Sequence, residues 1–220
     1  MLEILYEDNH LIAINKKSGD IVQADKTRDL PISDYVKSYI KKKYKKPGNV
    51  FLGTIHRIDR PTSGVLLMAK TSKALKRMNE KFKNKEIKKT YWAIVYNEPP
   101  KKKGILNNFL IKNEKKNKSY ISKESDAKNA ILNYKILKKL KNLYHLEIQP
   151  KTGRHHQIRV QLASIGCVIK GDLKYGAKRS NKNKSIHLLS RRIEFIHPVS
   201  KEKISITAPI PRDTIWEACI

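Results

Sequence analysis

The sequence is poor in cysteine, in acidic residues and in long apolar stretches. Its two cysteines, Cys167 and Cys219, lie far apart and form no CxxC pair, so neither a disulfide framework nor a cysteine zinc site is expected. Several histidines lack the spacing of metal ligands, and we expect no metal site: His155, His156, His187 and His197. Nothing approaches a membrane-spanning length, and the N-terminus has no extended apolar region of the kind that secretory signals carry. We therefore expect a cytoplasmic protein.

The scarcity of acidic residues leaves the chain strongly basic. Lysine and arginine number 48 against 20 aspartates and glutamates, which gives a formal net charge of +28. Such an excess predicts a polyanionic partner such as RNA. Most of the basic residues are lysines, so a lysine-rich proteome is an alternative explanation of the charge. A membrane partner is not expected, because no long apolar amphipathic segment accompanies the charge.

The length and the pattern of apolar residues indicate the fold class. At 220 residues and 39% hydrophobic content the chain can bury a real core. No linker or repeat divides it, so we predict a single domain over residues 1–220 that acts as a monomer. Apolar runs predict more strands than helices, which favours an α+β domain with a largely antiparallel sheet. Three helices are predicted: one over 33–45, a second that opens at Thr71-Ser72, and a third that ends at Gly166. Ser33 is a candidate N-cap for the first helix and Thr152 for the third.

One segment, His56 to Gly64 (HRIDRPTSG), places an acidic residue between arginines where turn-forming residues follow. The apolar run from Val65 to Ala69 then predicts a buried strand. Asp59 would therefore lie in a loop at a sheet edge, with Arg57 and Arg60 close in sequence. A carboxylate held there would stay ionised at neutral pH and could act as a nucleophile or a base. A surface salt bridge beside a turn is the alternative.

HRIDRPTSG resembles the signature loop, usually written HRLDxxTSG, of the RluA-type RNA pseudouridine synthases. Three further segments resemble the same family in the same order: ILYEDNHLIAINKKSG (4–19), KKTYWAIV (88–95) and PKTGRHHQIRVQLASIGCVIKGDLKYG (150–176). The resemblance implies a mixed, largely antiparallel central sheet with flanking helices. It also implies a reaction without cofactor or metal, in which the bond from nitrogen 1 of a uridine breaks, the uracil rotates and carbon 5 rejoins the ribose.

The resemblance assigns catalytic roles to three residues. Asp59 matches the catalytic aspartate, although attack on the ribose, attack on the base and removal of a ribose proton all remain open. Tyr91 matches the active-site tyrosine, whose ring can stack on the uracil and whose hydroxyl is a candidate for removing the proton from carbon 5. Arg159 matches the arginine that pairs with the aspartate and keeps it charged. Without the resemblance, Tyr91 would be interpreted as sheet core and Arg159 as a surface cation.

RNA contacts are expected from basic residues near these positions. Arg57 resembles the arginine that enters the RNA stack when the target base leaves, and Arg60 lies beside it. Arg154, His155 and His156 stand at a predicted helix N-terminus, which suits an anion; a solvated polar helix end is the alternative. The expected partner is RNA, either transfer RNA or ribosomal RNA.

Two departures from the family pattern affect the interpretation. Asn15 to Gly19 reads NKKSG where the family commonly has NKPxG, and the histidine that usually follows is replaced around Val22-Gln23. This leaves the packing and RNA contacts of that loop open. The chain also starts directly at the catalytic segments, as in the branch that modifies transfer RNA. The alternative functions are a catalytically silent RNA-binding protein or chaperone, and a glycosylase that uses Asp59 on the same bond.

Overall fold

The computed structural model describes residues 2–23 and 29–220. The elements in chain order are β1 (Ile4–Glu7), β2 (Leu11–Lys16), α1 (Ile32–Lys43), β3 (Gly53–Thr54), β4 (Ser63–Ala69), α2 (Ser72–Lys83), β5 (Lys88–Val95), β6 (Lys103–Asn113), β7 (Lys118–Ile121), β8 (Lys128–Lys139), β9 (Tyr144–Pro150), α3 (Gln157–Ser164), a 3-10 helix (Leu173–Tyr175), β10 (Leu188–Ile196), β11 (Lys203–Thr207) and α4 (Thr214–Glu217).

The chain forms two compact units, each built from separate stretches of sequence. The first comprises Met1–Lys88 and Ser190–Pro209, and the second comprises Lys89–Leu189 and Ile210–Ile220. The region that we predicted as one domain therefore contains two units.

The sheet of the first unit is centred on β2 and β4, in which nearly every residue is buried. β2 pairs with β1 and with β4 in antiparallel register, Leu11 opposite Ala69 and Lys16 opposite Gly64. β10 lies next to β4 and pairs with β11, while β3 adds a short pairing to β4. Helix α1 packs Val36 and Ile40 against this sheet. The predicted buried strand after the HRIDRPTSG segment is thus confirmed as β4.

The sheet of the second unit has the order β5-β9-β8-β6-β7, and each of these neighbouring pairs is antiparallel. Helix α3 packs Ile158 and Leu162 on one face of it, against a cluster that includes Leu132 and Ile148. The predicted α+β class with a largely antiparallel sheet and flanking helices is confirmed.

The predicted helix starts have mixed outcomes. The predicted helix start at Thr71-Ser72 is confirmed: α2 begins at Ser72, and the Thr71 side chain accepts a hydrogen bond from the Ala74 N–H at 3.2 Å. The prediction for Ser33 is wrong: α1 begins at Ile32, and its N-cap, Pro31, makes no side-chain cap bond. The prediction for Thr152 is also wrong, since α3 begins later, at Gln157.

Two features explain where sequence patterns misled. Thr152 accepts a hydrogen bond from the Ile131 N–H of β8 at 2.9 Å, so a tertiary contact replaces the expected local cap. The polar, lysine-rich composition of residues 113–119 predicts a loop, yet Lys118 begins strand β7. A strand of four residues is too short for its alternation to stand out from the flanking lysines.

Candidate active site

Asp59 lies half-buried in the turn that leads into β4. Its carbonyl accepts a hydrogen bond from the Thr62 N–H at 3.0 Å, which closes the turn. Gly64 follows with φ +110, and a Cβ there would come within 2.3 Å of the Ser190 carbonyl oxygen of β10. Only glycine tolerates both the backbone conformation and the close approach. The turn carrying Asp59 therefore has a well-defined end against β10.

The Asn15–Gly19 segment holds the other side of this turn. Lys16 is fully buried at the end of β2, and its ammonium donates to the carbonyls of Lys17, Asp20 and Arg60 at 2.9, 2.8 and 3.1 Å. The Gly19 N–H donates to the Arg60 carbonyl at 2.9 Å. The Asn15–Gly19 segment, whose packing could not be predicted from sequence, is thus hydrogen-bonded to the Asp59 turn. Lys17 occupies the position at which the family pattern has proline.

The charge of Lys16 is balanced between burial and its neighbours. Burial lowers the pKa of Lys16 to about 8, the carboxylates of Asp20 and Asp59 raise it, and Arg60 lowers it. Because three carbonyls accept from the ammonium, the charged form remains favoured at neutral pH. A buried cation therefore supports the loop that carries Asp59.

The two arginines of the signature loop differ in their surroundings. Arg60 donates from Nε to the Gly19 carbonyl at 3.0 Å and pairs with the Asp29 carboxylate at 2.6 Å. Arg57 is exposed and makes a long hydrogen bond of 3.4 Å to the Gln23 side chain. The Arg60 contacts stabilise the loop, whereas Arg57 projects from it. The roles of both in RNA binding stay predictions.

Tyr91 lies on β5 of the second unit, directly opposite Ile148 of β9. Its half-buried side chain packs against the apolar cluster on the α3 face of the sheet. This contact fixes the ring through core packing and leaves part of it accessible. Its catalytic role stays a prediction.

Arg159 lies in the first turn of α3 and forms a buried, two-pronged ion pair with Asp172. Nε donates to Oδ2 at 2.7 Å and one terminal nitrogen donates to Oδ1 at 2.8 Å, and the side chains are 5% and 1% exposed. The guanidinium also lies 5.1 Å from the ring centroid of Tyr175. The alternative interpretation of Arg159 as a surface cation is wrong. Sequence reasoning missed Asp172, although it lies in the GDLKYG end of the family-like segment.

A hydrogen-bonded cluster surrounds the start of α3. His156 is buried and shares a hydrogen bond of 3.0 Å between Nδ1 and the Tyr175 hydroxyl. The His155 ring stacks on it at 3.8 Å and contacts the Ser119 hydroxyl at 2.8 Å. Burial, and secondarily the charge of Arg159, lowers the pKa of His156 to about 2. His156 is therefore neutral at physiological pH, and the N-cap position places it in left-handed backbone at φ 52.

The remaining residues predicted to contact RNA at this helix start are more accessible. Arg154 is exposed and its Nε donates to the Asn129 carbonyl at 2.9 Å, while His155 is half-buried. Contacts of Arg154, His155 and His156 with RNA stay predictions. Among the described residues, no group of three or more histidine, cysteine or acidic side chains is placed to hold a metal ion. Within residues 2–23 and 29–220, no helix is long and apolar enough to cross a membrane.

Comparison with known proteins identifies the relatives of the chain. Residues 10–164 match the model of the family described as RNA pseudouridylate synthase. The chain is 36% identical to Ribosomal large subunit pseudouridine synthase C of Buchnera aphidicola subsp. Baizongia pistaciae over 94% of its length. It is 37% identical to the protein of the same name from Buchnera aphidicola subsp. Acyrthosiphon pisum over 96% of its length. It spans about two thirds of these relatives, 66% and 68% respectively.

Solved structures agree on the fold. The human protein RNA Pseudouridylate Synthase Domain Containing 4 superposes with a TM-score of 0.81 at 24% identity, covering 97% of this chain and 90% of the human one. Human RNA Pseudouridylate Synthase Domain Containing 1 gives 0.76 at 20% identity, covering 100% and 87%.

Proposed function

Because the chain belongs to the RNA pseudouridylate synthase family and is of the RluA type, we propose that it isomerises uridine to pseudouridine in RNA. The observation that carries this proposal is the family match over residues 10–164, a range that contains Asp59, Tyr91 and Arg159. The reaction is an internal rearrangement of one nucleotide. It requires no co-substrate, and we propose that it proceeds without metal or cofactor.

Asp59 is the proposed catalytic residue. The Thr62 N–H donates to the Asp59 carbonyl, and the Lys16 ammonium donates to the carbonyl of the next residue, Arg60. Several independent contacts therefore hold the backbone at Asp59. A catalytic group must be positioned to within a fraction of an ångström, and such support favours that role. Whether the carboxylate attacks the ribose, attacks the base or removes a ribose proton is a separate question for kinetic and trapping experiments.

Tyr91 and Arg159 are proposed to complete the catalytic set. Tyr91 offers an anchored aromatic ring for stacking on uracil and a hydroxyl for the final proton transfer from carbon 5. Arg159 offers a fork of donors suited to a carboxylate, and Asp172 fixes its orientation. The family match includes residues of both compact units, which supports the proposal that the chain acts as one catalytic domain.

The proposed substrate is ribosomal RNA of the large subunit. The two relatives from Buchnera aphidicola carry that substrate in their names, which favours ribosomal RNA over the transfer RNA expected from the start of the chain. The net charge of +28 supports phosphate contacts, to which Arg57, Arg60 and Arg154 would contribute. Such contacts supply affinity rather than sequence choice. We propose that the protein acts in the cytoplasm and as a monomer. Light scattering on the purified chain tests the oligomeric state.

The experiment that tests the function uses the purified full chain with two substrates, a large-subunit ribosomal RNA transcript and a transfer RNA pool lacking modification. Digestion to nucleosides and chromatography separates pseudouridine from uridine, which have equal mass. We expect pseudouridine in the ribosomal transcript, and none above background with Asp59→Asn. Asp34→Asn serves as the control, because Asp34 is a partly exposed acid on α1 whose carboxylate pairs with Lys37 at 3.2 Å.

Other outcomes would select another function. RNA binding without pseudouridine from the wild-type chain would favour the silent RNA-binding alternative. Free uracil in the supernatant would favour the glycosylase. Wild-type turnover by Asp59→Asn would remove Asp59 from the catalytic set.

A further inference from the structure

The sheet of the second unit has two faces that differ in how they are covered. One face is packed under α3, and Tyr91 points toward this side because its partner Ile148 belongs to the α3 cluster. On the opposite face, over β5 and β9, the His145 ring is buried between Trp92 at 4.6 Å and Trp216 of α4 at 6.3 Å. The cover on this second face comes from a helix of only four residues, so it protects the β5–β9 part.

Over β6 and β7, the same second face is open and carries exposed apolar side chains. Ile105 and Phe109 of β6 are 69% and 53% exposed, and Tyr120 of β7 is 36% exposed. The register places Phe109 and Tyr120 together, since Ile111 lies opposite Tyr120 and the next same-face residue of β6 is Phe109. Ile105 lies further along the same face of β6, beyond Asn107. Diagonal neighbours of this kind are within reach of one another's aromatic rings. We call Ile105, Phe109, Ile111 and Tyr120 the open platform.

Amides and lysines predominate among the polar residues around the open platform. Asn107 and Asn129 are joined by a hydrogen bond of 2.8 Å beside Phe109, and Asn133 lies opposite Ile105. Amide side chains present both donors and acceptors, which is what the edges of nucleobases require. The open platform therefore combines exposed rings with hydrogen-bonding groups that are not charged.

The margin of the platform is basic. Lys103 and Lys135 are directly opposite one another across β6 and β8, an arrangement of like charges that destabilises an isolated sheet. Lys118 lies 5.4 Å from the Tyr120 ring centroid. Two acids lie nearby: Glu147 pairs with Lys135 at 3.1 Å, and Glu124 lines a shallow pocket together with Ile111 and Tyr120. The three lysines outnumber these two acids. An anionic ligand would add a further counter-charge beside the Lys103–Lys135 pair.

We propose that the open platform binds a single-stranded segment of RNA, with bases stacked on Phe109 and Tyr120 and phosphates near Lys103, Lys118 and Lys135. The choice of RNA rests on the proposed function, and the platform deepens it by adding a contact surface away from the α3 face. Stacking on exposed aromatic rings of a sheet, beside basic residues, is a general mode of single-strand recognition. A protein partner fits less well, because interface cores are depleted in lysine.

The test measures the affinity of the full chain for a fluorescent single-stranded RNA of twelve nucleotides and mixed sequence, and for a duplex of the same composition. The double variant Phe109→Ala/Tyr120→Ala should weaken single-strand binding by about tenfold or more, since each stacked base contributes substantially. Duplex binding should change less than about twofold, because a paired base cannot stack on the platform. Phe51→Ala is the matched control, as Phe51 is 46% exposed in the first unit.

Two further measurements make the result decisive. The conservative pair Phe109→Tyr/Tyr120→Phe retains both rings and should keep wild-type affinity. Normal duplex binding by the alanine double variant excludes misfolding as the cause of its weaker single-strand binding. Crosslinking with a 5-iodouridine oligonucleotide should label peptides that contain Phe109 or Tyr120. Unchanged single-strand affinity in the alanine double variant would overturn the proposal. If that variant differs from wild type in oligomeric state and not in RNA affinity, the platform is a contact between copies of the chain, and the RNA proposal is wrong.

The platform and the proposed function fail separately. Oligonucleotide binding requires no turnover, so a chain that binds single strands through Phe109 and Tyr120 but forms no pseudouridine would keep the platform and lose the function. A chain that forms pseudouridine while the double variant binds single strands normally would keep the function and lose the platform.

Discussion

Arg159 and Asp172 form a two-pronged ion pair that is almost completely shielded from water, with both donor–acceptor distances below 2.9 Å. The pair joins α3 to the segment before the 3-10 helix, two elements separated by 13 positions in sequence. An arginine fork bound in this way has a fixed plane. The proposed catalytic arginine is therefore positioned by a residue that the sequence motifs did not identify.

We predict that Asp172→Asn destabilises the protein by about 3–5 kcal/mol, because the buried guanidinium of Arg159 loses the negative charge that Asp172 supplies. Pseudouridine formation should also fall, on the order of a hundredfold, since the guanidinium loses its fixed plane. Urea unfolding and single-turnover kinetics measure the two effects. Asp126→Asn, which changes an exposed acid of the second unit, should alter neither.

A double substitution separates stability from positioning. Arg159→Met/Asp172→Leu removes both charges and should recover much of the stability that Asp172→Asn loses, because buried ion pairs are replaceable by apolar residues of similar volume. It should remain inactive, as the fork itself is gone. Recovery of turnover in the double variant would show that neither residue takes part in the reaction.

Lys16 is predicted to make stability rise at alkaline pH. Its pKa is about 8 in the folded chain, below the ordinary value of 10.5, chiefly because of burial. Between these values the unfolded chain binds more protons than the folded one, so the free energy of unfolding increases with pH. Lys16→Met should abolish this increase and cost roughly 1–3 kcal/mol at neutral pH by leaving carbonyls unpaired.

Urea titrations of wild type and Lys16→Met between pH 7 and 10.5 test this prediction. The difference in the free energy of unfolding between the two proteins should widen as the pH rises. A constant difference would mean that Lys16 keeps its proton as readily in the folded chain as in the unfolded one. Lys37→Met, at a partly exposed lysine of α1, provides the comparison.

His145 is predicted to weaken the fold in mild acid. Burial lowers the pKa of His145 to about 4 from its ordinary value of 6.5, so the unfolded chain takes up a proton first as the pH falls. The stability lost between pH 6.5 and 4 should be on the order of 3 kcal/mol. His145→Phe keeps an aromatic ring between Trp92 and Trp216 and should remove this component. Equal pH profiles for the two proteins would contradict the assignment.

The sequence patterns predicted the parts of the fold that local rules determine. The helix start at Thr71-Ser72 and the strand after the HRIDRPTSG segment follow from short-range patterns, and both are present. Thr152 and Asp172 depend instead on partners that are distant in sequence, Ile131 and Arg159. No periodicity or spacing encodes such side-chain contacts. The candidate site was recognisable from its motifs, whereas the residues that support it became visible only in three dimensions.

Gly64 provides the sharpest test of how the Asp59 turn is held. Its φ of +110 disfavours any side chain, and a Cβ would lie 2.3 Å from the Ser190 carbonyl oxygen, which is backbone and cannot move aside cheaply. Gly64→Ala should therefore cost at least about 2 kcal/mol of stability and displace the turn, with a larger loss of turnover than of RNA affinity.

Gly48→Ala is the matched control, because a Cβ at Gly48 meets nothing within 4 Å and its φ lies outside the left-handed range. It should leave stability and turnover at wild-type values. Thermal unfolding, RNA affinity and single-turnover rates of the two variants give the comparison. If Gly64→Ala unfolds at the wild-type temperature and keeps full turnover, then the contact with Ser190 does not position Asp59, and the turn is held by the Thr62 hydrogen bond and the Asn15–Gly19 segment.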